Sequence, residues 1–157
     1  MTNSWRSGCA LGALMLLCSL LCTFGAWTPA YADGSVSSLH MGMGAKDSYA
    51  MMQFDAVIAK YNASGERFRI DSHCQSACTM FLSIRNVCIT PGATLLFHAG
   101  GSRQRANISR SSTDHMLAAY NPALRQYVTE HHFMDTFEFH AISGREMISR
   151  FGYPACR

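Results

Sequence analysis

The chain has 157 residues, 48% of them hydrophobic and 15% charged, with a net charge of +3. A charge so close to balance gives no sign of a nucleic-acid or membrane-surface binder. The length leaves room for one domain once an N-terminal leader is set aside.

The leader comes first. Arg6 supplies a positive start, Cys9 to Phe24 is an uncharged apolar run, and Ala30-Tyr31-Ala32 offers the small residues that a signal peptidase reads. Gly25 and Pro29 break the run before it settles as a membrane span. Leu17 and Leu21 precede Cys18 and Cys22 where a lipoprotein signal wants a small residue. Residues 1–32 are therefore expected to be a signal peptide, and 33–157 one domain delivered to the periplasm or secreted. Cys74, Cys78, Cys88 and Cys156 then reach an oxidising compartment, where two disulfides are the default. Four cysteines allow three connectivities. If the segment after Gln75 is helical, Cys74 and Cys78 lie one turn apart, which favours Cys78 with Cys88 and Cys74 with Cys156.

Residues 33–46 are rich in Gly, Ser and Met and read as a loop, with Gly42-Met43-Gly44 free to take unusual backbone angles. Ser48 to Tyr61 carries apolar residues at helical spacing and stops at Asn62 to Gly65. Arg67 to Ile70 alternates like a short strand and leads into a turn at Asp71-Ser72-His73. Ser76 to Leu82 is expected to be a buried helix opening directly after that turn. Val87 to Ile89 and Thr94 to Phe97 are predicted strands separated by Pro91-Gly92, with His98 closing the second. Gly100 to Ser112 is polar and basic and is expected to be an exposed loop. Helices are predicted from Thr113 to Tyr120, from Pro122 to about His131 and from Gly144 to Phe151, while Phe137 to Ile142 fits strand or helix. Alternating helices and strands give an α/β class.

A serine that follows a strand and opens a helix sits where backbone N–H groups and the helix dipole can stabilise an oxyanion. Ser76 holds that position. His98, at the end of a later strand, is placed to serve as its base, because parallel strand ends converge on one edge of a sheet. Asp135, Glu138 and Glu146 are the carboxylates available to orient the imidazole. His73, Cys74, Cys78, Cys88 and His98 are metal-ligand types, but their spacing is not a paired Cys-x-x-Cys, and neither a metal nor another cofactor is expected.

Ser76-Ala77-Cys78-Thr79-Met80-Phe81-Leu82, followed by Val87 to His98, resembles the nucleophile helix and histidine strand of the Clp protease proteolytic subunit. Pro91, Ala93, Leu95, Phe97 and His98 match that family's strand without a gap. The chain is also similar to small exported periplasmic Clp-like bacterial proteins of unknown role. The resemblance implies a ClpP/crotonase-like spiral of ββα units. It makes Ser76 the nucleophile and His98 the general base. An ungapped continuation from Leu124 places Glu146 on the family's orienting acid. It assigns the oxyanion hole to the N–H of Ala77 and of either Gly42 or Gly44, where the family has a Ser-Pro-Gly-Gly. No segment corresponds to the one that meets an ATPase partner. The implied activity is an ATP-independent, peptidase-like serine hydrolase acting on a peptide or a small ester or amide, in a chain that can form a homo-oligomer. The rival expectation is a non-catalytic periplasmic binding or assembly protein that keeps the fold.

Overall fold

The structure, a computed structural model, describes residues 34–37 and 47–157. The predicted leader and both candidate glycines, Gly42 and Gly44, lie outside the described residues.

The elements are β1 (Gly34–Ser35), α1 (Asp47–Ser64), β2 (Phe68–Ile70), β3 (His73–Gln75), a 3-10 helix (Ser76–Ser83), β4 (Val87–Ile89) and β5 (Thr94–Phe97). They continue with β6 (Gly101–Ser102), β7 (Asn107–Ile108), α2 (Arg110–Ala118), α3 (Pro122–Glu130), β8 (His140–Ser143) and α4 (Gly144–Ser149). The result is one small mixed α/β domain with two disulfides. Strands β1, β2 and β4 form a parallel sheet in that order. In the second sheet β5 lies between β3, to which it is parallel, and β8, to which it is antiparallel.

Local chemistry explains where the elements begin and end. Gly65 follows α1 with φ +71, and its N–H returns to the Tyr61 carbonyl at 3.0 Å. A left-handed residue at this position closes a helix, and glycine takes it without steric cost. The Asn121 side chain accepts from the Leu124 N–H at 2.9 Å and Pro122 occupies the first turn, so α3 starts where its cap dictates.

The core is an aromatic seam between the two sheets and α1. Phe54, Phe81, Phe68 and Tyr61 form a chain of ring contacts with centroids 4.7 to 5.2 Å apart, mostly tilted or edge-on. Ile70, Leu95, Leu124, Ile142 and Met147 fill the space around it and are fully buried. Because Leu95 and Phe97 point into this core, Thr94 and Leu96 face outward, and the strand carries its alternation up to His98.

Three expectations are corrected. Residues 100–112 are not one loop: β6 and β7 pair as a hairpin, and α2 already begins at Arg110. Gly101 makes the hairpin feasible, since its φ is +135 and an added Cβ would collide with the Asn107 carbonyl. His73 belongs to β3 rather than to a turn, and the ambiguous stretch before Ile142 resolves into β8 from His140.

The disulfide pairing is the third correction. Cys74 joins Cys78 and Cys88 joins Cys156. Cys74 ends up near Cys78 because it lies in a strand, not in a helical turn, and the chain reverses between the two. Cys156 meets Cys88 because the C-terminal tail runs alongside β4: Ile89 donates to the Pro154 carbonyl at 2.8 Å, and Cys156 donates back to the Ile89 carbonyl at 3.0 Å. Two disulfides fit an oxidising, extracytoplasmic compartment. Among the described residues no helix is long and apolar enough to cross a membrane.

Candidate functional site

Ser76 stands where β3 turns into the 3-10 helix, with φ +57. Gln75 before it is extended, at φ −114 and ψ 152, so the reversal of the chain is concentrated in the serine itself. A left-handed backbone at a non-glycine residue is disfavoured by sterics and concentrates at functional turns. Its hydroxyl has no hydrogen-bond partner among the described residues, while its carbonyl is held firmly.

That carbonyl accepts from the Thr79 hydroxyl at 2.7 Å, and Thr79 Oγ1 lies 2.6 Å from the Tyr120 hydroxyl. A carbonyl can only accept, so Thr79 spends its proton on Ser76 and Tyr120 donates to Thr79. Burial pushes the Tyr120 hydroxyl well above its ordinary range, although the bond to Thr79 works the other way, so it stays a donor. Neither Thr79 nor Tyr120 stands out in the sequence, because a Thr three residues after a Ser and a distant Tyr have no recognisable spacing. Thr79→Val is expected to destabilise the fold by about 1–3 kcal/mol in urea unfolding, since it strands the buried Tyr120 hydroxyl. Tyr120→Phe, which leaves the Thr79–Ser76 bond in place, should cost less, and equal losses would refute the assigned order of donors.

His98 lies on the neighbouring strand. The register pairs Cys74 with Leu95 and Gln75 with Leu96, so the chain leaves β3 at Ser76 at the same end of the parallel pair at which His98 follows β5. The imidazole is only 8% exposed. Its Nδ1 lies 2.6 Å from the Ala99 carbonyl, which requires the proton on Nδ1 and leaves Nε2 as the basic nitrogen. Burial holds the His98 pKa below its ordinary value; the Ala99 carbonyl opposes this and the Arg103 charge adds to it. The ring is therefore neutral, with its free nitrogen fixed by the backbone.

None of the three candidate carboxylates hydrogen-bonds His98. Glu146 is the residue implied by the resemblance, but β8 runs antiparallel to β5, with Phe97 opposite His140 and Thr94 opposite Ser143. Gly144 consequently docks at Ala93, donating to its carbonyl at 2.7 Å, at the far end of β5 from His98. Five residue steps along the strand, roughly 16 Å, separate Ala93 from His98. Glu146 there pairs with Arg150 at 3.0 Å. Asp135 pairs with His132 at 2.8 Å. Glu138 lines a depression together with Phe137 and Phe139, the aromatic neighbours of the histidine.

That depression is open, about 410 Å³, and lined by Arg103, Phe137, Glu138 and Phe139. Phe139 stands edge-on to His98 with centroids 4.8 Å apart, and Phe137 lies at 6.1 Å. Arg103, from the β6–β7 hairpin, lies over the Phe139 ring at 5.0 Å and donates to the Phe137 carbonyl. The hairpin follows His98 directly because Gly100 lets the chain pass against α2: its N–H donates to the Thr113 hydroxyl at 2.9 Å, and a Cβ would press on Ser112.

Ala77, the candidate oxyanion donor, follows Ser76 as the second residue of the 3-10 helix. The structure thus gathers Ser76, Ala77 and His98 at one end of the β3–β5 pair and leaves Glu146 at the other. Among the described residues no group of His, Cys, Asp and Glu is arranged to hold a metal ion. No protein-family model matches the chain, and no curated protein or solved structure does so either.

Proposed function

We propose that this chain is an exported, ATP-independent serine hydrolase of peptidase-like chemistry, built on a ClpP/crotonase-like fold, with Ser76 as nucleophile and His98 as general base. The carrying observation is a serine at φ +57 in a strand-to-helix turn, beside a strand that ends in a buried histidine whose Nδ1 is committed to a carbonyl. His98 Nε2 takes the Ser76 proton as Oγ attacks the substrate carbonyl, and later returns it to the leaving group. The tetrahedral oxyanion is received by the Ala77 N–H, with Gly42 or Gly44 supplying the second donor.

The orienting role that the resemblance gave to Glu146 passes to the Ala99 carbonyl. A carbonyl fixes the tautomer as a carboxylate would, but it adds no negative charge to stabilise the imidazolium. Acylation is accordingly slower than in a full triad. The aromatic walls at Phe137 and Phe139 favour an apolar acyl or side-chain group next to the scissile bond.

A fluorophosphonate probe should label the oxidised protein, and Ser76→Ala should abolish the label. The labelling rate should rise with pH and reach half its plateau below pH 6.5, because His98 loses its proton below the ordinary histidine value of 6.5. A folded protein that stays unlabelled would favour the binding-protein reading, to which the absence of a carboxylate hydrogen bond to His98 among the described residues already lends support.

A further inference from the structure

Cys74 and Cys78 stand two residues before and two residues after Ser76, and their disulfide closes a ring over a sequence separation of 4. We infer that Cys74 and Cys78 are positioning residues for Ser76: their disulfide holds its backbone in the left-handed conformation, and with it the direction in which Oγ leaves the chain. The inference rests on reading Ser76 as the nucleophile.

The geometry leaves the reversal nowhere else to go. Cys74 and Gln75 are fixed as extended backbone by their pairing with Leu95 and Leu96 on β5. Continued extension would carry residue 78 roughly 13 Å from residue 74. The disulfide keeps the two Cα atoms 5.3 Å apart, so the chain must turn back within Ser76 and Ala77. Ser76, at φ +57, takes that turn.

Sharp strand-to-helix turns ordinarily draw on glycine, which adopts positive φ at no steric cost. Here the flanking residues are Gln75 and Ala77, and the turning residue bears a side chain. An unrestrained L-residue disfavours this conformation roughly 5- to 30-fold. The ring supplies covalently what glycine would supply by freedom. Its anchors are solid: Cys74 is fully buried in β3, and Cys78 is half-buried in the 3-10 helix. The Thr79 bond holds the Ser76 carbonyl from within the 3-10 helix, and the ring ties that helix covalently to β3.

The test compares three oxidised proteins: wild type, Cys74→Ala with Cys78→Ala, and Cys88→Ala with Cys156→Ala. Fluorophosphonate labelling and 4-nitrophenyl acetate hydrolysis are followed where circular dichroism shows each to be folded. The first variant should lose about tenfold in labelling rate and in kcat at unchanged KM, with the same pH midpoint. The second should label at the wild-type rate despite a larger drop in melting temperature. Equal labelling by wild type and the first variant would overturn the inference. Should the double variant not fold, Cys78→Ala alone leaves Cys74 as a small buried thiol and carries the same expectation. A wild type that never labels would instead sink the nucleophile reading. The NMR coupling between the Ser76 amide and Hα, which reports φ, then decides the ring's role: a change on Cys78→Ala supports it, and an unchanged coupling refutes it.

Discussion

His98→Ala is expected to slow acylation of Ser76 by about 10²–10⁴-fold, the contribution a positioned general base ordinarily makes. The loss should be confined to the pH range in which wild-type His98 is neutral, because below its pKa the wild type lacks a free Nε2 as well. The two rate profiles should therefore converge in acid. Stability should respond in the same window. Burial depresses the folded pKa, so the fold gains from neutral His98 above the ordinary value of 6.5 and loses that gain as pH falls toward the folded value. In His98→Ala this acid-side loss is expected to be smaller, measured as urea stability at successive pH values. His98→Gln is the useful companion, since it fills much of the space and keeps a polar group near the Ala99 carbonyl without supplying a base. Labelling of His98→Gln at the wild-type rate would remove His98 from the mechanism, whatever its burial.

The backbone carbonyl at the centre of this prediction marks the limit of what the sequence could disclose. Ser76 and His98 were legible, because a serine opening a small-residue stretch after a strand and a histidine closing an apolar strand are patterns of side chains at fixed intervals. Strands β4 and β5, helix α1 and the start of α3 at Pro122 were legible on the same grounds of periodicity and turn chemistry. The Ala99 carbonyl was not, since every residue has one and only the folded path aims it. The position of Glu146 was misleading for a related reason. An ungapped match counts residues, whereas β8 running antiparallel to β5 carries the chain back toward Ala93 before α4 begins. The cysteine pairing failed on a local assumption. Treating residues 74 to 78 as one helical turn overlooked the positive φ at Ser76, a conformation that residue type alone does not signal.

Removing the Cys88–Cys156 disulfide by paired alanine substitution is expected to produce the largest loss of stability of any change considered. Its sequence separation is 68, against 4 for Cys74–Cys78. Cross-linking restricts the unfolded chain more as the closed loop lengthens, giving about 4 kcal/mol for the longer loop and about 2 kcal/mol for the shorter. For a domain of this size the loss of about 4 kcal/mol corresponds to a melting temperature lowered by roughly 12–20 °C. The native contacts point the same way. The tail is held to β4 by two backbone hydrogen bonds at Ile89, and Tyr153, which is buried, accepts the Asn121 N–H on its hydroxyl at 3.0 Å. Once the link is cut, the tail is free to leave β4 and expose Phe151 and Tyr153, so protease cleavage near the C-terminus should precede global unfolding. Activity should be retained while the domain stays folded, because the Ser76 turn and the β3–β5 register do not depend on the tail. Loss of labelling in step with loss of the tail would instead show that β4 and its C-terminal partner help to hold the Ser76 turn in place.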